Sequence, residues 1–397
     1  MDFWHYPRPA LASTHLGFAK AGIRSQTLVA ARGIGKTQFV LNDLLPAARD
    51  AGWRAIHCDL WADEERPAKA LVTELQRAVR GDGPHPRPAT LLDRVRELAR
   101  RRPKSIQAKG KAMGIELEGR LQFADMPAVT PERDIEAFNQ AFEQLIARDA
   151  RPLYLVLDEA QSLADVRHAP FVKAMRAAFQ RHDERVVRVF TGSSRAGLDR
   201  LFHRKKAALF EQGGPRTPFP PLDRGFIDHI AERYAAHTRG APFDKEVAWR
   251  GFNDLGRSAR LFRAALDRVL TADSPDIARA CRDVLQSRDV DRPHRERWER
   301  MQAIDQAVFL RVTQDGEKLF SQPVRRSLAA LLLQPAVEAW EVQAALDRLE
   351  NAHLVYRDER GVYAVEDDEF RVWLEEQVDP DTTANQDPMH EPPDTKP

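Results

Sequence analysis

The chain has 397 residues, 43% of them hydrophobic, with 61 Lys and Arg against 60 Asp and Glu for a net charge of +1. That length and apolar content suit two or three cored domains, and the charge balance leaves any nucleic-acid contact to local patches. Cys58 and Cys281 stand in no metal-ligand spacing, no apolar stretch reaches membrane-spanning length, and the N-terminus lacks a signal-peptide pattern, so a disulfide framework, a zinc site and a membrane span are excluded and a cytoplasmic location is expected.

Residues 1–24 carry Phe3, Trp4 and Tyr6 and a short helical pattern near 9–21. An apolar run from Thr27 to Ala31 then predicts a buried strand, and Arg32-Gly33-Ile34-Gly35-Lys36-Thr37 turns the chain into an amphipathic helix that continues through Gln38, Phe39, Val40, Leu44 and Leu45. This is the strand, loop and helix order that cradles phosphate. Glycines let backbone N–H groups curl around phosphate oxygens at a helix N-terminus, Lys36 reaches the β- and γ-phosphates, and the Thr37 hydroxyl can ligate Mg²⁺. Ala30 stands where the first glycine of such a loop is usual. A second strand is expected over 53–59 and an amphipathic helix over 63–80, with Leu71, Leu75 and Val79 on one face.

A Gly/Pro linker at 81–88 opens an insertion reaching about residue 131, read as a helix near 90–102 and a hairpin around Ile115 to Phe123. Between Arg94 and Lys111 it holds eight Lys or Arg and one acid, a patch suited to a nucleic-acid backbone or an acidic partner, or simply a solvated helix face. A helix over 131–149 leads into the apolar run Leu153 to Leu157, a strand buried on both faces that ends in Asp158-Glu159. Two acids after a strand often cap a helix, but paired with the phosphate loop they predict chemistry. Asp158 would hold the hydration shell of Mg²⁺, and Glu159 would orient and deprotonate water. A further strand, Val186 to Phe190, delivers Thr191 and Ser193 as candidates to sense the γ-phosphate or hold the attacking water, with a helix N-cap as the alternative.

Helices then dominate to about residue 290 and read as a lid. Arg257 or Arg260, in Gly256-Arg-Ser-Ala-Arg260, would reach over the nucleotide. A charged linker is expected over 286–300. Residues 304–374 give three helices and a two-stranded hairpin around Arg360-Gly361, the pattern of a winged helix-turn-helix. Gln343, Arg348, Arg357 and Arg360 are available to touch DNA, while Glu341, Asp347, Glu350 and the acidic run 366–369 argue equally for protein contacts. The tail after Val378 is Pro- and Asp-rich and expected to be disordered.

With these motifs in view, the chain resembles the archaeal-type ATPase family of AAA-like proteins, near the STAND regulatory NTPases. The resemblance covers about residues 26–270 and rests on Arg32-Gly-Ile-Gly-Lys-Thr37, Leu157-Asp-Glu-Ala-Gln161 and Phe190-Thr-Gly-Ser-Ser194. It implies an α/β P-loop NTPase with an AAA-like parallel five-stranded sheet in residues 1–220, a helical lid over 221–290 and a winged helix domain over 300–376. It also implies ATP and Mg²⁺ as cofactors, with hydrolysis coupled to DNA or a protein partner. Oligomerisation is suggested too, since Asp-Glu-Ala-Gln is similar to the acid motif of transposition-helper and secretion ATPases. Two alternatives stand beside this reading: a DNA-binding regulator that uses ATP without turnover, and a scaffold in a defence or mobile-element system.

Overall fold

The structure is a computed structural model, and it describes residues 3–31, 33–63, 66–81, 131–204, 207–271, 276–357 and 362–378. The insertion with its helix, hairpin and basic patch, Arg32, Arg360 and the tail lie outside the described residues.

Helix α1 (Pro9–Lys20) precedes strand β1 (Ser25–Val29). The phosphate-loop helix runs as α2 (Lys36–Phe39), a π-helical turn (Val40–Leu44) and α3 (Leu45–Asp50). There follow β2 (Arg54–Asp59), α4 (Pro67–Arg80), α5 (Pro131–Arg148), β3 (Leu153–Asp158), α6 (Ala169–Arg181), β4 (Val186–Gly192), α7 (Arg195–Phe202) and β5 (Arg216–Pro218). All five strands pair in parallel, in the order β2-β3-β4-β1-β5.

Parallel strands buried on both faces are built mostly of apolar residues, as β3 and β4 are, with Arg188 of β4 a buried exception, paired with Asp183 at 2.7 Å. Leu153, Leu155 and Leu157 enter the core shared with α4, α5 and α6, while Tyr154 and Val156 enter the core under α1 and the phosphate-loop helix. The strand order has a functional consequence. Because β4 lies between β3 and β1, the C-terminal ends of all three open into one crevice, which is where ligands bind in open α/β sheets.

Beyond the sheet, α8 (Arg224–His237), α9 (Lys245–Asp254), α10 (Ala259–Thr271) and α11 (Ile277–Leu285) share a separate core built around Phe226, Phe252 and Phe262. The charged stretch expected as a linker is instead helix α12 (Arg288–Glu299), despite Pro293 within it. Its charges fall at i,i+4 spacing, pairing Asp291 with Arg295 at 2.9 Å and Arg292 with Glu296 at 2.8 Å. His294 also packs on Phe370 and Trp373. Charge content pointed to a linker, and regular pairing with one apolar contact makes a helix.

The last module comprises α13 (Ala303–Gln314), α14 (Gln322–Leu331), α15 (Ala339–Asn351), the antiparallel strands β6 (Val355–Arg357) and β7 (Tyr363–Val365), and α16 (Asp368–Val378). The acidic run 366–369 thus leads into a helix. Phe370, Trp373 and Leu374 of α16 join the module's core, while Val372 joins the core shared by α8 to α11. No helix among the described residues is long and apolar enough to cross a membrane.

Candidate functional site

Past β1 the chain turns at Gly33 and Gly35, whose φ values of 80° and 94° lie in the left-handed region that a side chain would strain. Nothing lies within 4 Å of the position a Gly35 Cβ would take, so the loop is open on that side. Ala30 keeps the strand pairing going, its N–H donating to Gly192 O at 3.1 Å, and its methyl is buried in the core under α1.

Lys36 opens α2 from a buried position, its ammonium 2.5 Å from Glu159 Oε1 and 3.4 Å from Asp158 Oδ1. The Thr37 hydroxyl donates to Asp158 Oδ2 at 2.8 Å, the Thr191 hydroxyl donates to Oδ1, and His57 Nε2 stands 3.4 Å from Oδ2. Glu159 Oε2 accepts from Ser193 Oγ at 2.7 Å and from Gln161 Nε2 at 2.5 Å. The loop lysine and threonine, the two acids, the Thr191 hydroxyl of β4 and the Ser193 hydroxyl just past it therefore form one hydrogen-bonded cluster across three strand ends.

Burial alone would depress the pKa of Lys36, but the adjacent Asp158 and Glu159 outweigh it and raise the value. For Asp158, burial opposes ionisation, yet the Lys36 charge, then the His57 and Thr191 contacts, hold the carboxyl well below the usual range. Glu159 is lowered as well: burial and Asp158 push it up, and Lys36 and Gln161 prevail. At neutral pH the cluster therefore holds one cation against two anions. Thr37 and Asp158 offer oxygen donors in this net-negative setting, which suits a hard divalent cation shared with phosphate oxygens.

The remaining predicted residues divide. Ile34 packs against the core under α1, and Gln38 Oε1 accepts from Asn42 Nδ2 at 2.9 Å within its own helix, apart from the acids. Arg257, with a left-handed φ of 56°, is turned away; its guanidinium stacks over Trp249 and its Nε donates to Asn253 Oδ1 at 2.8 Å. Arg260 touches the loop through its backbone N–H, which donates to Gly33 O at 3.0 Å, while its guanidinium pairs with Glu369.

Sequence reasoning missed four residues here. His57 lies within β2 opposite Val156 of β3, Gln161 follows Glu159 by two positions, and Ser258 and Glu369 meet above Gly33, with Ser258 Oγ donating to Glu369 Oε1 at 2.6 Å. Only Gln161 left a signal, through its fixed spacing from the acids; the approach of Glu369 spans 111 positions.

A Walker-type ATPase of Pyrococcus abyssi is similar in structure, with a TM-score of 0.58 over 94% of this chain and 99% of that one at 15% identity. The ORC2 protein of Aeropyrum pernix in its ADP form gives 0.53 over 95% of this chain and 96% of that one, also at 15% identity. The same protein in its ADPNP-ADP complexes gives 0.50 over 92% and 91%, at 16% identity. No protein-family model and no curated protein matches the sequence. The chain thus shares its overall fold with the Walker-type ATPase and the ORC2 protein.

Proposed function

We propose that the protein is an ATP-binding, Mg²⁺-dependent ATPase of AAA-like type that couples its nucleotide state to a macromolecular partner. The observation that carries this reading is the convergence of Lys36, Thr37, Asp158, Glu159, Thr191 and Ser193 in one hydrogen-bonded cluster. Lys36 and the N–H groups of the glycine loop bind the β- and γ-phosphates, and Thr37 and Asp158 hold the metal. Bound Mg²⁺ supplies neutralisation of charge on the phosphoryl oxygens. Thr191 fixes the rotamer of Asp158. Glu159 is ionised and held by Ser193 and Gln161, so it can orient a water and accept its proton once Lys36 has turned from Glu159 to phosphate. Titration of ATP with Mg²⁺ against wild type and Lys36→Ala tests binding; an unaltered affinity in the variant would remove the site from this reading.

The C-terminal module we read as a winged helix, and two observations favour a protein partner on it over DNA. Arg348 of α15 is engaged by Asp305, with Nη2 to Oδ1 at 2.6 Å, and is therefore not free for phosphate. Trp340 at the start of α15 and the nearby Leu333 are 70% and 94% exposed, a surface more suited to apolar contact. DNA affinity that falls steeply with added salt would reverse this preference. Self-assembly belongs to the proposal on the strength of the Asp-Glu-Ala-Gln motif, and sedimentation with and without ATP tests it.

A further inference from the structure

Helix α16 touches three parts of the molecule at once. Phe370, Trp373 and Leu374 anchor it in the C-terminal module, Val372 inserts into the core shared by α8 to α11, and Glu369 reaches the phosphate loop. The Glu369 carboxylate is an acceptor for Ser258 Oγ and forms an ion pair with the Arg260 guanidinium, with Arg260 Nε 3.3 Å from Oε1. A Cβ on Gly33 would collide with Glu369 Oε1 and with Ser258 Oγ, so the glycine gives the carboxylate room against the loop. A close approach on the other side is equally specific, since a Cβ on Gly256 would lie 2.9 Å from Val372 Cγ2.

A second grip comes from a residue two positions before the helix. Glu366 accepts from the N–H of Arg195 at the start of α7, two positions past Ser193, and lies 3.4 Å from Ser194 Oγ. His353 Nδ1 is 2.7 Å from Ser194 Oγ, and Arg200 Nη1 donates to Asn351 Oδ1 at 2.7 Å. The seam between module and core therefore follows the elements that would register a γ-phosphate.

We propose that Glu369 is a clasp displaced by nucleotide: it occupies Arg260 and Ser258 above the phosphate loop, and the phosphates of a nucleoside triphosphate take Arg260 from it, releasing α16 and the C-terminal module. The inference rests on the nucleotide-binding reading above. Its physical basis is competition. A carboxylate and a phosphate are both anions, both are favoured at a helix-opening loop, and Arg260 cannot serve both while Glu369 keeps its place. Coupling of this kind is reciprocal: nucleotide opens the clasp by the factor by which the closed clasp weakens nucleotide binding, so loosening the clasp should tighten nucleotide binding.

The test measures hydrogen exchange of α16 in the full chain, with and without ATP and Mg²⁺, alongside ATP affinity of wild type and Glu369→Gln. Expected are faster exchange over 368–378 when wild type binds ATP, faster exchange in Glu369→Gln without nucleotide, and ATP affinity on the order of tenfold tighter in that variant. Wild type that binds ATP with α16 exchange unchanged overturns the clasp and leaves the nucleotide reading intact. Failure of both proteins to bind ATP overturns the nucleotide reading and the clasp with it. The wild-type exchange measurement decides the matter even if the variant folds poorly.

Discussion

The strand-end cluster and the seam beneath α16 lie side by side, yet they are built differently. In the cluster each charged group is answered by one delivered from another strand end of the same sheet, and Lys36, Asp158 and Glu159 are all held charged. Along the seam Glu366 faces the other way: burial pushes its carboxyl up to about 7, only partly offset by the N–H groups of Arg195 and Ala196, by Ser194 and by the Arg200 charge. The first arrangement is committed to charge at neutral pH. The second is held near the point where charge is lost, as expected of a contact that forms and breaks.

Substitutions sharpen this contrast, beginning with the largest effect. Glu159→Gln should lower ATP turnover by roughly 10³-fold while leaving ATP affinity within a fewfold, measured by single-turnover kinetics; turnover like wild type would remove Glu159 as the base. Lys36→Ala should weaken ATP binding by about 100-fold in direct titration, since charge-assisted contacts to phosphate are the strong ones.

The seam should respond to pH by about tenfold. For Glu366 the sign follows from a carboxyl whose docked pKa is above its free value of 4.5: its protonated form favours docking, so docking is strongest below the free pKa and weakens as pH rises towards about 7. Protection of the α16 amides, corrected for the intrinsic base-catalysed exchange rate, should therefore fall between about pH 4.5 and 7, and Glu366→Gln should flatten the profile; a fall that persists in the variant would assign it to another group. The smallest effect is expected for Arg348→Ala. Stability should fall by about 1–2 kcal/mol as buried Asp305 loses its partner, and DNA affinity should change less than about twofold. A large loss of DNA binding would restore α15 as a reading helix.

Much of the cluster was legible because it depends on local pattern. Leu153 to Asp158 declares a buried strand with acids at its end, and Gly33 to Thr37 declares a loop opening a helix. Parallel pairing then brings these ends together with Thr191 and Ser193 almost without further information. The seam was not legible for the opposite reason. Glu369 meets Ser258 and Arg260 across more than a hundred positions, and nothing in the run 366–369 marks those acids as buried rather than solvated. Phe370, Trp373 and Leu374 do carry helical spacing that could have revealed α16, though not its target. For the arginines, spacing placed both Arg257 and Arg260 near the loop, and the left-handed backbone at Arg257 separates them.

The π-helical turn at Val40–Leu44 carries a consequence for how this chain can change length. Val40, Leu44 and Ala48 are all buried at steps of four, and an α-helix would rotate each such step about 40° off the previous one. The wider turn absorbs that drift, which makes one residue between Val40 and Leu44 surplus to helical geometry. Deleting Asn42, whose Nδ2 only donates to Gln38 within the same helix, should turn the segment into uninterrupted α-helix. Thr37 would keep its aim at one end and Ala48 its burial at the other, so this interior segment can lose a residue where its neighbours cannot.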